Sequence, residues 1–81
     1  MELYTGVVGM IEQHSAVVSL FDDYNIDIRE MMPWEFRSYV PRGDVTVRSK
    51  EPLQIEVLMT IDGDEFTVHV GENMKIVDIE S

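Results

Sequence analysis

The sequence predicts a small α+β domain, rich in β-structure, in which an antiparallel sheet over residues 44–79 packs with short helical segments from residues 8–40. Three features carry that prediction. Apolar residues alternate through the C-terminal half, apolar residues recur at helical spacing near the N-terminus, and the prolines at 33, 41 and 52 all punctuate the middle third. A period of two argues for strands with one buried face, and a period of 3.6 argues for helices.

The strands read most clearly. Leu53, Ile55, Val57, Met59 and Ile61 share one face of a continuous run, the pattern of a half-buried strand. Asp62-Gly63 follows and predicts a tight hairpin, because both central positions of a type I′ turn need positive φ. Phe66, Val68 and Val70 then alternate with Glu65, Thr67 and His69 in a returning strand. Gly71-Glu72-Asn73 reads as the next turn, and residues 74–79 as a third strand. Val45 and Val47, between Gly43-Asp44 and Pro52, make a shorter strand.

The N-terminal half leaves two readings open. Val7, Met10, Ile11, His14, Val17, Val18 and Phe21 fall at helical spacing, with Glu12, Gln13, Ser15 and Ser19 on the other side. Paired valines and Gly6 and Gly9 lower helix propensity, so the same stretch tolerates strands at 3–12 and 16–21. Residues 24–28 alternate and suit a strand or a loop. Pro33 suits the first turn of a helix, which would run over residues 34–40 and end before Pro41. Phe36, Tyr39 and Val40 would then point inward.

Composition sets the limits on function. Eighty-one residues make one domain, 1–81, with a thin core. There is no cysteine, so neither disulfides nor thiolate chemistry enters. No apolar run approaches the roughly 20 residues that span a bilayer. The opening MELYTGVVGM has no basic cluster and does not read as a signal peptide. The expected location is therefore the cytoplasm of the producing cell or of a host.

Sixteen acids against six bases give a net charge of −10. That balance disfavours nucleic acid and anionic lipid as partners and favours solubility and basic protein surfaces. Residues 1–28 hold five acids and no Lys or Arg, and residues 51–81 hold eight acids and only Lys75. Arg29, Arg37, Arg42, Arg48 and Lys50 give the middle a local surplus of positive charge.

The search for chemistry predicts no catalytic, cofactor or metal residues. Gly6-Val-Val-Gly9 lacks the lysine of a phosphate loop. His14 and His69 have no second histidine at ligand spacing and read as structural. His14-Ser15 are neighbours in sequence only, which does not make a nucleophile and its base. Asp62-Gly63-Asp64-Glu65 resembles half a calcium loop but lacks the EF-hand spacing, so it reads as a hairpin turn. Asp22-Asp23 reads as a loop or helix end.

The segment Ile28–Val40 concentrates the sole tryptophan, Met31, Met32, Phe36, Tyr39, Arg29 and Arg37. Trp, Tyr and Arg dominate interface hot spots, and Met adapts to irregular surfaces. Two uses compete for these side chains, core filling and partner contact, and both can hold if Phe36 and Tyr39 point inward and Met31 or Trp34 outward. Candidate partner-binding residues are Met31, Met32, Trp34 and Arg37, with Asp22, Asp23, Asp62, Asp64 and Glu65 supplying charge.

Two resemblances bear on this reading. Strands at 3–12, 16–21 and 24–29, a helix at 33–40 and later strands, opened by Gly6-Val7-Val8, resemble the element order of an oligonucleotide-binding barrel of the S1 type. That resemblance implies a nucleic-acid-binding face, yet residues 16–28 offer Phe21 and Tyr24 beside Asp22, Asp23 and Asp27, the wrong sign for a phosphate track. Separately, Asn25-Ile-Asp-Ile-Arg-Glu-Met-Met-Pro-Trp-Glu-Phe-Arg-Ser-Tyr-Val40 is similar to a stretch in small accessory proteins of tailed bacteriophages. It covers residues 25–40 of 81 and implies a phage origin and a protein partner. After Tyr39 the sequence departs from that pattern, turning into a sheet.

The functional expectation is a non-catalytic acidic protein-binding module, phage-encoded, that occupies a basic protein surface as an inhibitor or assembly adaptor. If the partner is a nucleic-acid-processing protein, the carboxylates would stand in for phosphates. The alternatives are a phage tail or baseplate subunit, which would form homo-oligomers, and a nucleic-acid-binding barrel using the arginines of residues 29–50.

Overall fold

In the computed structural model, which describes residues 3–81, a layer of short helices covers one face of a four-stranded antiparallel sheet. Glu2, one of the N-terminal acids counted above, lies outside the described residues. Helix α1 (Leu3–Gln13) turns its Tyr4, Val7, Val8 and Ile11 stripe into the core. Helix α2 (Ser15–Asp22) buries Val17 and Phe21. The apolar stripe is continuous in sequence, but the helix breaks at His14. That residue is extended (φ −75°, ψ 134°), and its Nδ1 accepts the Ala16 N–H at 3.1 Å. A side-chain cap thus starts α2 at a new angle.

After α2 the chain turns through Asn25 (φ 60°), makes a single 3₁₀ turn at Ile28–Glu30 and enters α3 (Pro33–Arg37). Pro33 occupies the first turn, where its missing N–H costs nothing. The helix predicted over 34–40 is shorter than expected. Ser38 donates its hydroxyl to the Glu35 carbonyl, and Tyr39 and Val40 donate their N–H groups to Phe36 and Arg37, so the end winds as i→i+3 turns. Phe21 packs its ring against Phe36 at 5.5 Å and meets Tyr39 edge-on at 5.0 Å. The Tyr4 hydroxyl donates to the Val40 carbonyl at 2.6 Å, which ties α1 to the end of this segment.

The sheet is a meander of β1 (Val45–Lys50), β2 (Leu53–Ile61), β3 (Asp64–Val70) and β4 (Ile76–Glu80). Asp62 and Gly63 have φ of 50° and 86°, as the hairpin signal required. Ile55, Val57, Met59 and Ile61 on β2 and Phe66, Val68 and Val70 on β3 are buried beneath the helices. The last strand begins later than predicted. Asn73 and Met74 both take positive φ (61° and 56°), and the Gly71 N–H donates to the Lys75 carbonyl at 2.8 Å, so the turn runs on to residue 75.

The barrel alternative does not hold. Residues 3–12 and 16–21 are helical, residues 24–29 pass from a turn through irregular backbone into a 3₁₀ turn, and among the described residues the sheet is open, with β1 and β4 at its edges. β-Branched residues favour strands only weakly; here the burial of a helical stripe against the sheet outweighs that preference. Among the described residues, no helix is long and apolar enough to cross a membrane.

Two stability measurements check this packing. Phe21→Ala should cost about 3–5 kcal/mol in denaturant unfolding, comparable with the whole stability of a domain this size, about 4–12 kcal/mol. Gly9 lies inside α1, and a Cβ there would meet nothing within 4 Å. Gly9→Ala should therefore stabilise the fold by about 0.5–1 kcal/mol, read as a higher unfolding midpoint.

Candidate functional site

Three surfaces gather the residues with functional potential. The first is the end of the molecule where α2 meets the β2–β3 hairpin. Asp22 and Asp23 close α2, and Tyr24 reaches across to donate its hydroxyl to Asp64 Oδ2 at 2.6 Å. Its ring stands edge-on to Phe66 at 6.2 Å. The Asp64 hydrogen bond, then burial, then the charges of Asp64, Asp62 and Asp23 push the Tyr24 pKa up to about 12. Three predicted acids, Asp23, Asp62 and Asp64, thus surround one phenol.

The other two acids of that set point elsewhere. The charge of Asp22 acts on Arg29, whose pKa is raised chiefly by its 2.9 Å hydrogen bond to Asp27 Oδ1. That bond in turn holds the Asp27 carboxyl below its usual range. Glu65 pairs with Thr60 and, by strand alternation, faces the opposite side of the sheet from Phe66.

The second surface is the Met-Trp segment. Phe36 is the anchor of α3 and is fully buried, whereas Trp34 is 63% exposed and Met32 51% exposed. Met31 is half-buried and, with Pro33, Ile28, Arg29, Val18 and Glu12, lines a shallow groove of about 360 Å³ between the helices and the loop. Arg37 is exposed on the same short helix. The sequence reading put Phe36 and Tyr39 inside and Met31 or Trp34 outside; Phe36 is buried, Tyr39 and Met31 are half-buried, and Trp34 is exposed.

The third surface was not legible as a site in the sequence. The face of the sheet away from the helices carries Glu56 on β2, His69 on β3, and Asp78 and Glu80 on β4. Arg48 pairs with Glu56. Glu56 Oε2 lies 3.9 Å from His69 Nδ1, and Glu80 contacts His69 Nε2. These residues line a groove of about 530 Å³ whose apolar end is formed by Leu53, Gly71 and Val77. A Cβ on Gly71 would come within 3.2 Å of the Val77 side chain, so glycine lets the two strands close here.

Three cations of the middle segment have partners within the chain. Arg29 is held by Asp27, Arg48 by Glu56, and Arg42 lies over the Tyr4 ring at 4.6 Å. His14 serves as a helix cap, the structural role expected of it.

Residues 1–76 match the family described as "Domain of unknown function (DUF7351)". No curated protein and no solved structure matches the chain.

The phenol at the acidic end gives a direct test of its electrostatics. Tyr24 should ionise near pH 12, about two units above a free tyrosine, and Asp64→Asn should bring that titration back toward 10, read by ultraviolet absorbance or NMR. The raised pKa links to stability in a set direction: the contribution is complete below pH 10 and is lost as pH rises through about 12.

Proposed function

The chain belongs to the DUF7351 family, and we propose that it is a non-catalytic protein-binding module that holds a basic partner through its helical face and acidic end. The observation that carries this reading is the exposure of Trp34 at 63% beside Met32 at 51%, on a helix fixed from below by buried Phe36. A thin core has use for its only indole, and an aromatic left in water on a rigid support is the usual form of an interface anchor. Fixing α3 in advance also lowers the conformational entropy lost on association.

The carboxylates supply the second part. Asp23, Asp62 and Asp64 converge at one end, and their field steers a positively charged surface toward the molecule. Nucleic acid fits this surface poorly, because the net charge is −10 and Arg29 and Arg48 are already engaged with carboxylates. Arg37 is exposed on the same helix and would donate its guanidinium N–H groups to a carboxylate or carbonyl oxygen of the partner.

Capture from a lysate of the encoding organism, followed by binding kinetics against salt, tests the proposal. Trp34→Ala should weaken the captured complex at least 30-fold through faster dissociation, the effect of a hot spot of about 2 kcal/mol or more. Neutralising Asp23, Asp62 and Asp64 to Asn should slow association about tenfold and flatten its salt dependence. A complex indifferent to both changes would remove this surface from consideration.

A further inference from the structure

We propose that His69, Asp78 and Glu80 form a binding site for a divalent transition-metal ion on the open face of the sheet, with Glu56 orienting the histidine from behind. This site is independent of the protein-binding surface, which lies on the helical side. One ligand atom from each of the three side chains lies within 4.8 Å of the others. Ligand distances of about 2.0–2.2 Å around an ion require donors about 3–3.5 Å apart, so side-chain rotations of about an ångström close the set.

The arrangement follows from the register. His69 sits directly opposite Asp78, and Glu80 is opposite Thr67, diagonal to the histidine. Directly opposed side chains start about 5 Å apart and diagonal ones about 7–8 Å. The shorter acid therefore occupies the near position and the longer one the far position; Glu80 reaches Nε2, and a carboxylate oxygen of Asp78 lies within 4.8 Å of the other two ligand atoms.

The two faces of the imidazole differ in kind. Nε2 faces Glu80, and Nδ1 faces Glu56, which Arg48 holds in turn. A carboxylate behind the non-ligating nitrogen of a metal-bound histidine fixes its tautomer and raises its basicity. One imidazole with two carboxylates leaves positions open to water and suits Zn²⁺, Co²⁺ or Mn²⁺; the nitrogen donor disfavours Ca²⁺ and Mg²⁺.

A β-bulge makes the site possible. Pairing runs from Val70↔Ile76 to His69↔Asp78, so Val77 is the extra residue. Without it, the Val70↔Ile76 register would set Asp78 opposite Val68 and Glu80 opposite Phe66, on the buried face. The bulge turns both acids outward and Ile79 inward. Bulges re-aim side chains in this way beside functional sites. A second bulge lies at the same level on β1, between Val47 and Ser49, where Arg48 reaches Glu56.

The test uses the full chain with Zn²⁺ in calorimetry and substoichiometric Mn²⁺ in amide NMR. One Zn²⁺ should bind per chain, and Mn²⁺ should broaden residues 56, 69, 78 and 80 first. His69→Gln should weaken Zn²⁺ binding at least tenfold, Glu56→Gln about tenfold, and His14→Gln not at all. Circular dichroism checks that each variant is folded, and Asp78→Asn gives a second independent loss should His69→Gln unfold. Broadening centred on Asp23, Asp62 and Asp64, Zn²⁺ affinity unchanged in folded His69→Gln, or no Zn²⁺ binding at 1 mM would each overturn the proposal.

Discussion

Burial of the inner face of β2 and β3 is the constraint on which the rest of the molecule depends. Ile55, Val57, Met59, Ile61, Phe66, Val68 and Val70 present a continuous apolar surface that no other strand can cover, because the meander leaves the sheet open. A sheet with one apolar face is stable only when another layer removes that face from water. Helices α1, α2 and α3 are too short to stand alone, so each gains its stability by contributing residues to this cover. Phe21 joins the parts, touching Phe36 and Tyr39 from α2.

One-sided cover decides what the surfaces can do. The helical layer uses its large side chains for burial, and Trp34 escapes because Phe36, two positions along a single turn, takes the inward place. On the uncovered face, side chains must live in water, so the alternation that buries valines also displays Glu56, Thr67 and His69 together. The edge strands then add charge to that display through their bulges. The open-face cluster is thus a by-product of the alternation that builds the core.

The sheet was legible because its signals are local. Period-two burial and Asp62-Gly63 fix strand and turn within a dozen residues, and positive φ at both turn positions follows from the residue types. The helices were half-legible. Val7, Ile11, Val17 and Phe21 announced a stripe, but paired valines and two glycines argued the other way, and only the presence of a sheet to pack against decides between them. The break at His14 depends on one side-chain hydrogen bond that no periodicity reports. A divided segment was foreseen, with Phe36 and Tyr39 inward and Met31 or Trp34 outward, but periodicity did not decide between the last two. The convergence of Asp23 with Asp62 and Asp64 was not foreseen, since it needs residues forty apart to meet through Tyr24. The His69 cluster was hidden more deeply. Its ligands lie on a neighbouring strand, and a single bulged residue, Val77, sets whether they face the histidine or the core.

The placement of charge argues that the two surfaces act separately. Asp64 and His69 lie on the same strand, but they point to opposite faces and stand about 16 Å apart along it at 3.3 Å per residue. That separation is about twice the Debye length of ~8 Å at physiological salt. A cation bound among Asp78, Glu80 and His69 would therefore leave the field around Asp23, Asp62 and Asp64 almost unchanged, and a basic partner docked on the helical side would not neutralise the open face. These are two separate clusters of carboxylates within a chain of net charge −10. The sheet keeps them apart, because the alternation that puts Asp64 beside Tyr24 puts His69 beside Glu56 and Glu80.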